Sequence, residues 1–148
     1  MQLREITKEA FTISENASFG EALNMMLKEH TNTLLVIDEE GRLTGEVSVS
    51  DLFDGIIPLT MGGDDAIEHI KSESKVIESV KEAKETPVFD FMSSDYTVVH
   101  PDDTIMDVAA VAIAHQQARI PVVDHDGRPV GIISRQGLKQ ILGKFMQS

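Results

Sequence analysis

Apolar and polar positions alternate along this chain in blocks that predict the same five elements twice. Phe11-Thr12-Ile13 reads as a short strand. Ser18-Phe19-Gly20-Glu21 has capping-box spacing, with the Ser18 hydroxyl placed to accept from an early helix N–H and Glu21 placed to reach back. Ala22, Leu23, Met26 and Leu27 then form an apolar stripe at helical spacing. Leu34-Leu35-Val36-Ile37 is a continuous apolar run of strand length, the mark of a strand buried on both faces. Asp38 to Gly41 carries turn chemistry, a second strand follows near Thr44 to Val47, and a short helix is expected after Ser48. The later part of the chain repeats this plan. Val98-Val99 is the short strand, Thr104-Ile105-Met106-Asp107 the cap, Val108 to His115 the helix and Ile120-Pro121-Val122-Val123 the buried strand. The turn is Asp124-His125-Asp126-Gly127, Val130 to Ile133 the next strand, and a helix runs from about Arg135 to Phe145.

The two halves share residues as well as pattern. Asp38 and Asp124, Gly41 and Gly127, Gly45 and Gly131, and Ser48 and Ser134 all stand 86 positions apart. An internal duplication predicts two similar halves packed about a pseudo-two-fold axis, and such an axis creates two related clefts. Between the halves, Pro58 and Met61-Gly62-Gly63 should break the chain. Asp64-Asp65 suit a helix N-terminus. Ile67, Ile70, Ile77 and Val80 fall at helix-like spacings among Lys and Glu, predicting one charged amphipathic helix before Pro87. That helix reads either as a solvated spacer with one packed face or as a dimer or partner contact.

Composition narrows the classes. The 148 residues are 41% hydrophobic, enough for a core, and no run approaches the roughly 18 apolar residues of a membrane span. Met1-Gln2-Leu3-Arg4-Glu5 lacks a signal-peptide stretch. There is no cysteine, so disulfides, thiol catalysis and zinc–thiolate sites are excluded. A soluble cytoplasmic protein is the expectation. The net charge of −12 argues against nonspecific nucleic-acid binding, which needs a basic face. The charge is uneven: residues 1–86 hold 8 Lys/Arg against 18 Asp/Glu, and the remainder 5 against 7. An anionic ligand therefore needs a local cation, and the second half is the place to look. The five histidines form no i, i+4 pair and no His-Glu-x-x-His motif, so no metal site is expected; His30 and His115 read as helix C-terminal residues. Met25, Met26, Met92 and Met106 read as fillers of core or interface gaps.

The run Ile120-Pro121-Val122-Val123-Asp124-x-Asp126-Gly127-x-x-Val130-Gly131-Ile132-Ile133-Ser134 resembles the core motif of a cystathionine-β-synthase (CBS) domain. Asp90-Phe91-Met92 and Thr97-Val98-Val99-x-Pro101-Asp102-Asp103-Thr104 fit its lead-in. The first half is a looser match, with Leu34-Leu35 where the family usually has an apolar residue and proline. The resemblance implies a tandem pair, or Bateman module: an α/β (α+β) fold of two pseudo-symmetric β-α-β-β-α repeats packed through their sheets. The repeats would span 8–57 and 88–145, joined by a 58–87 connection. It also implies a regulatory module that binds adenosine-containing ligands and dimerises.

Gly45-Glu46-Val47-Ser48-Val49-Ser50-Asp51 matches the family's ligand signature, Gly-x-x-Ser/Thr-x-x-Asp. Free N–H groups at the strand-to-helix junction favour an anionic or hydroxyl-rich ligand. Asp51 can accept from a ribose diol; equally, Ser48 and Asp51 can form only a capping box. Gly137 stands where the second repeat should carry the acid, so that cleft is expected to be degenerate or to hold a different or weaker ligand. Arg119 has Thr33 as its counterpart. The resemblance implies that a basic residue there reaches phosphate across the cleft, so Asp51 and Arg119 should share one site. Arg135 would be a second phosphate contact, and Tyr96, Thr97 and Pro121 would lie near the base. A structural ion pair for Arg119 and a plain surface charge for Arg135 are the competing readings. The expected function is a stand-alone regulatory module, not an enzyme, binding AMP, ADP, ATP or S-adenosylmethionine, with a homodimer and an unidentified regulated protein as partners. The alternative is a structural dimerisation or partner-docking module with no physiological ligand.

Overall fold

A computed structural model describes residues 1–57 and 62–148; the breaks expected at Pro58 and Met61 lie outside the described residues. A short lead-in, α1 (Leu3–Ile6) and β1 (Thr7–Lys8), precedes the first repeat. That repeat comprises β2 (Thr12–Ser14), α2 (Phe19–Glu29), β3 (Thr33–Ile37), β4 (Leu43–Ser48) and α3 (Val49–Gly55). The connection forms α4 (Gly63–Lys71) and α5 (Glu73–Ala83). After a single 3₁₀ turn at Val88–Asp90, the second repeat adds α6 (Ile105–His115), β5 (Ile120–Val123), β6 (Pro129–Ile133) and α7 (Arg135–Met146). The result is mixed α/β with two three-stranded sheets, β2-β3-β4 and β1-β6-β5.

Ser18 caps α2, its hydroxyl accepting from the Glu21 N–H at 3.1 Å, while Thr104 and Asp107 cap α6 reciprocally. β2 runs parallel to β3 across the α2 crossover, and β3 returns antiparallel as β4 through the Asp38–Gly41 turn. Asp38 Oδ1 accepts from the N–H groups of Glu40 and Arg42, and Asp124 Oδ1 accepts likewise from Asp126 and Arg128. Gly41 and Gly127 close these turns at φ of +83° and +88°, a region that only glycine enters freely. The two turns meet: Arg42 Nε donates to the Asp126 carbonyl at 3.0 Å, Arg128 Nε donates to the Glu40 carbonyl at 3.1 Å.

The first strand of the second repeat shrinks to one bridge, Val99 to Val122. In the first repeat Glu15 N–H donates to the Ile37 carbonyl at 2.9 Å. Its counterpart, Pro101, has no N–H to donate. The His100 ring takes over, with Nδ1 2.7 Å from the Val123 carbonyl.

The apolar stripes build two cores, and each borrows from outside its own repeat. Ile13, Phe19, Ala22, Met26, Leu34, Val36, Val47 and Leu52 enclose Ala83 of the connection and Val88 at the start of the second repeat. Val99, Val108, Ile120, Val122, Ile133 and Ile141 enclose Leu3 and Ile6, which precede the first. β1 pairs with β6 through Thr7 and Ile133, and Ser93, 86 positions after Thr7, pairs with Glu46 in both directions at 2.9 and 2.8 Å. Leu35 and its counterpart Pro121 are fully buried yet belong to neither core, which places them on the opposite faces of their strands.

The connection departs from the single helix expected. Ser72, at φ −94° and ψ 106°, ends α4 and starts α5. The fold-back buries His69 and Ser79, with Nε2 and Oγ 2.6 Å apart. Val76 and Val80 pack on the first core, while Ile67, Ile70 and Ile77 stay exposed.

The lead-in exchange depends on two glycines. A Cβ on Gly131 would lie 2.4 Å from Thr7 Cγ2 and 2.7 Å from the Lys8 carbonyl oxygen. One on Gly45 would meet Met92 Sδ at 2.6 Å. Gly131→Ala is expected to cost about 1–3 kcal/mol by overpacking. Gly143→Ala, in open space on α7, should stabilise by about 0.5–1 kcal/mol. Urea denaturation of both variants checks the contrast; a neutral Gly131→Ala would contradict the close approach.

Candidate functional site

β4 ends at Ser48 and α3 starts one residue later. Asp51 Oδ2 accepts from the Ser48 N–H at 2.8 Å and from the Ser48 hydroxyl at 3.1 Å, and the Asp51 N–H points back to Ser48 Oγ at 3.3 Å. The capping box is therefore formed, with the geometry that Thr104 and Asp107 use on α6. No described hydrogen bond engages Asp51 Oδ1. At the corresponding end of β6, Ser134 stands at the N-cap position of α7 but makes no side-chain cap hydrogen bond, and its buried hydroxyl has no partner among the described residues. The lead-in explains the missing acid. A Cβ at Gly137 would sit 3.1 Å from the Ile6 carbonyl oxygen and 3.3 Å from Ile6 Cβ, so α1 occupies the space a side chain would need.

Glu46, Asp95, Tyr96, Thr97, Gln117 and Arg119 are among the residues that line a cavity of about 370 Å³. Its pseudo-symmetric counterpart, about 310 Å³, is lined by Ala10, Phe11, Thr31, Thr33, Ile132 and Ser134. The exchange of residues is position by position: Ile132 for Glu46, Ala10 for Tyr96, Phe11 for Thr97 and Thr33 for Arg119. Arg119 itself lines both cavities. The buried Thr33 hydroxyl, like that of Ser134, has no partner among the described residues.

The first cavity is bound together by charge. Burial pushes the Glu46 carboxyl above the usual carboxylate range; the nearby Asp51 charge raises it further, and Arg119 pulls it back. Burial likewise raises the Tyr96 phenol, with Glu46 adding to the shift. Asp51 from the first repeat and Arg119 from the second thus act on the same group. Gln117 fixes the wall. Its Oε1 accepts from the Thr97 N–H at 3.0 Å, and its Nε2 donates to the carbonyls of Thr97 at 2.8 Å and Arg119 at 3.1 Å.

Of the residues the sequence singled out, Tyr96, Thr97 and Arg119 line this cavity with Glu46, whereas Ser48 and Asp51 hold the α3 cap and are not among its described lining residues. Pro121 sits fully buried in β5, its carbonyl accepting from the Val99 N–H at 3.0 Å. Arg135 is exposed at the first turn of α7. Neither is a described lining residue of the cavity. Glu46 and Gln117 were missed. The signal for Glu46 was present: an acid stands on a strand at the position where the other repeat has Ile132.

A family model for the CBS domain matches residues 3–58 and 88–144, and the chain belongs to that family as a tandem pair. It is 29% identical over 155 residues to the uncharacterized protein MJ1426 of Methanocaldococcus jannaschii, covering 96% of this chain and 91% of that one. Three further curated relatives are matched over 42%, 22% and 23% of their lengths. Among solved structures, the CBS domain of a CBS domain containing membrane protein from Sphaerobacter thermophilus superimposes with a TM-score of 0.77 at 26% identity, covering 95% and 87% of the two chains. CBSX2 in complex with AMP superimposes at 0.69 and 20% identity, covering 98% of each. Among the described residues no helix is long and apolar enough to cross a membrane.

The Glu46 shift has a stability consequence. A carboxyl raised in the folded state favours folding in its neutral form, so stability is lost as pH rises through the folded value. Glu46→Gln should raise the melting temperature near pH 8, and the gain should shrink toward zero near pH 4. Thermal melts across this range check it; a gain independent of pH would contradict it.

Proposed function

We propose that the chain is a regulatory module that binds an adenosine-containing ligand in the cleft between its repeats. The observation that carries this reading is that Arg119 of the second repeat and Glu46 of the first line one cavity of small-molecule size, with the Asp51 charge close to Glu46. Asp51 holds its helix cap through Oδ2, which leaves Oδ1 for a ribose hydroxyl. Arg119 meets an anionic group at the 5′ end of the ligand, a phosphate or a carboxylate. Tyr96 and Thr97 lie beside the base. The AMP complex of CBSX2 supports the ligand class. A ligand acts as a signal here only through different affinity for two states of the module. One ligand per chain follows, because Gly137 and Thr33 impoverish the other cleft.

A second copy of the chain is the proposed partner. Leu27 on α2 and Ile113 on α6, counterparts 86 positions apart, are 65% and 79% exposed, and Phe53 and Leu142 are exposed on α3 and α7. These apolar helix faces suit a symmetric homodimer. The exposed Ile67, Ile70 and Ile77 of the connection favour a second reading, in which α4 and α5 dock a regulated protein. A pure docking module gains no thermal stability from ligand, whereas a binder does as occupancy rises.

Two measurements test these readings. In calorimetry, Asp51→Ala should weaken adenosine and AMP at least about tenfold, the loss of a charge-assisted hydrogen bond. Arg119→Ala should weaken ligands with an anionic 5′ group far more than adenosine. Equal losses for adenosine, AMP and S-adenosylmethionine would make the arginine structural. Light scattering at micromolar concentration should give a dimer that Leu27→Glu combined with Ile113→Glu converts to a folded monomer; a monomeric wild type would contradict the assembly.

A further inference from the structure

The charges of the cleft do not match the ligand that Arg119 alone suggests. Glu46 and Asp95 share the cavity wall with Arg119, and the Asp51 charge acts on Glu46 from α3. Two lining carboxylates thus oppose one guanidinium, with His115 the other ionisable lining group besides Tyr96. A phosphomonoester brings close to two negative charges at neutral pH. The fold does not require an acid at position 46. The equivalent place in the other cleft holds Ile132, on a strand with the same pairing and the same neighbouring glycine. A half-buried carboxylate there is costly to desolvate and sits close to a second one, so its presence calls for a ligand that offsets it.

We propose that Glu46 sets the charge selectivity of this cleft, which takes an adenosyl ligand whose 5′ end carries both a cation and a carboxylate. Glu46 faces the cationic centre, a sulfonium or ammonium, and Arg119 takes the carboxylate. The pair reads the two ends of an amino-acid group, while the ribose stays with Asp51. Nucleoside phosphates offer Arg119 its anion but leave Glu46 facing negative charge. The inference rests on the adenosyl-binding reading of the cleft and selects among its ligands.

The test is calorimetry of the full chain with S-adenosylmethionine, S-adenosylhomocysteine, adenosine and AMP, on wild type and on Glu46→Gln. Wild type should bind S-adenosylmethionine at least about tenfold more tightly than S-adenosylhomocysteine, which lacks the sulfonium charge, and AMP no better than adenosine. Glu46→Gln should erase the first preference and raise AMP affinity about tenfold, with adenosine unchanged. A thermal melt verifies that the variant is folded. AMP binding tighter than adenosine in wild type, with the same ratio in Glu46→Gln, would overturn the selectivity. In that case, binding of adenosine that is lost in Asp51→Ala leaves the adenosyl-binding reading standing. Binding of none of the four compounds would overturn both.

Discussion

The structure depends on an exchange of backbone between its two halves. Thr7 and Lys8 lie on β6 at Gly131, and Met92 and Ser93 lie on β4 at Gly45. Each contact puts the lead-in of one repeat against the other repeat, close enough that a single methyl group would disturb it. The exchange brings Leu3 and Ile6 into the second core and Ala83 and Val88 into the first. A repeat of roughly fifty residues buries too little surface to be stable alone, so each half is completed by residues it does not contain. The reciprocal arginines, Arg42 and Arg128, fasten the two turns at the same pseudo-symmetric junction.

The same exchange makes the two clefts unequal. On one side α1 packs tightly over Gly137, so that a side chain there would crowd Ile6, and the Ser134 hydroxyl has no partner among the described residues. On the other, Asp51 completes its cap and retains a free oxygen. Near-symmetric backbones therefore present different chemistry: Glu46 lines one cleft and Ile132 and Thr33 the other, while Arg119 reaches both. The strongly acidic first half of the chain contributes Glu46 and Asp51, and the second half contributes the cation.

Much of this was legible in the sequence. The periodicities and cap residues of the two halves gave the helices, the buried central strands and the reciprocal Thr104–Asp107 cap, because these are local patterns, whereas Glu21 does not reach back to the Ser18 N–H. Arg119, Tyr96 and Thr97, singled out in the sequence, line the same cavity. What the sequence did not reveal is long-range. β1 is two residues long, too short for any periodicity, and its partner lies more than 120 positions away. The division of the connection at Ser72 follows from the fold-back that buries His69 against Ser79, a tertiary contact with no local signature beyond a serine before a glutamate. The shortened strand at Val99 had a visible cause in Pro101, a residue without the donor its counterpart uses. Gln117 could not be found from pattern at all, since it acts by bonding to three backbone groups that only the fold brings together.

The central claim is that one cleft, built from both repeats, reads an adenosyl ligand. A crystal structure of the protein soaked with adenosine tests this most directly. The account predicts one molecule per chain, with a ribose hydroxyl on Asp51 Oδ1 and the base beside Tyr96 and Thr97. Adenosine seated instead in the cleft of Thr33 and Ser134, or ribose hydroxyls with no contact to Asp51, would contradict it.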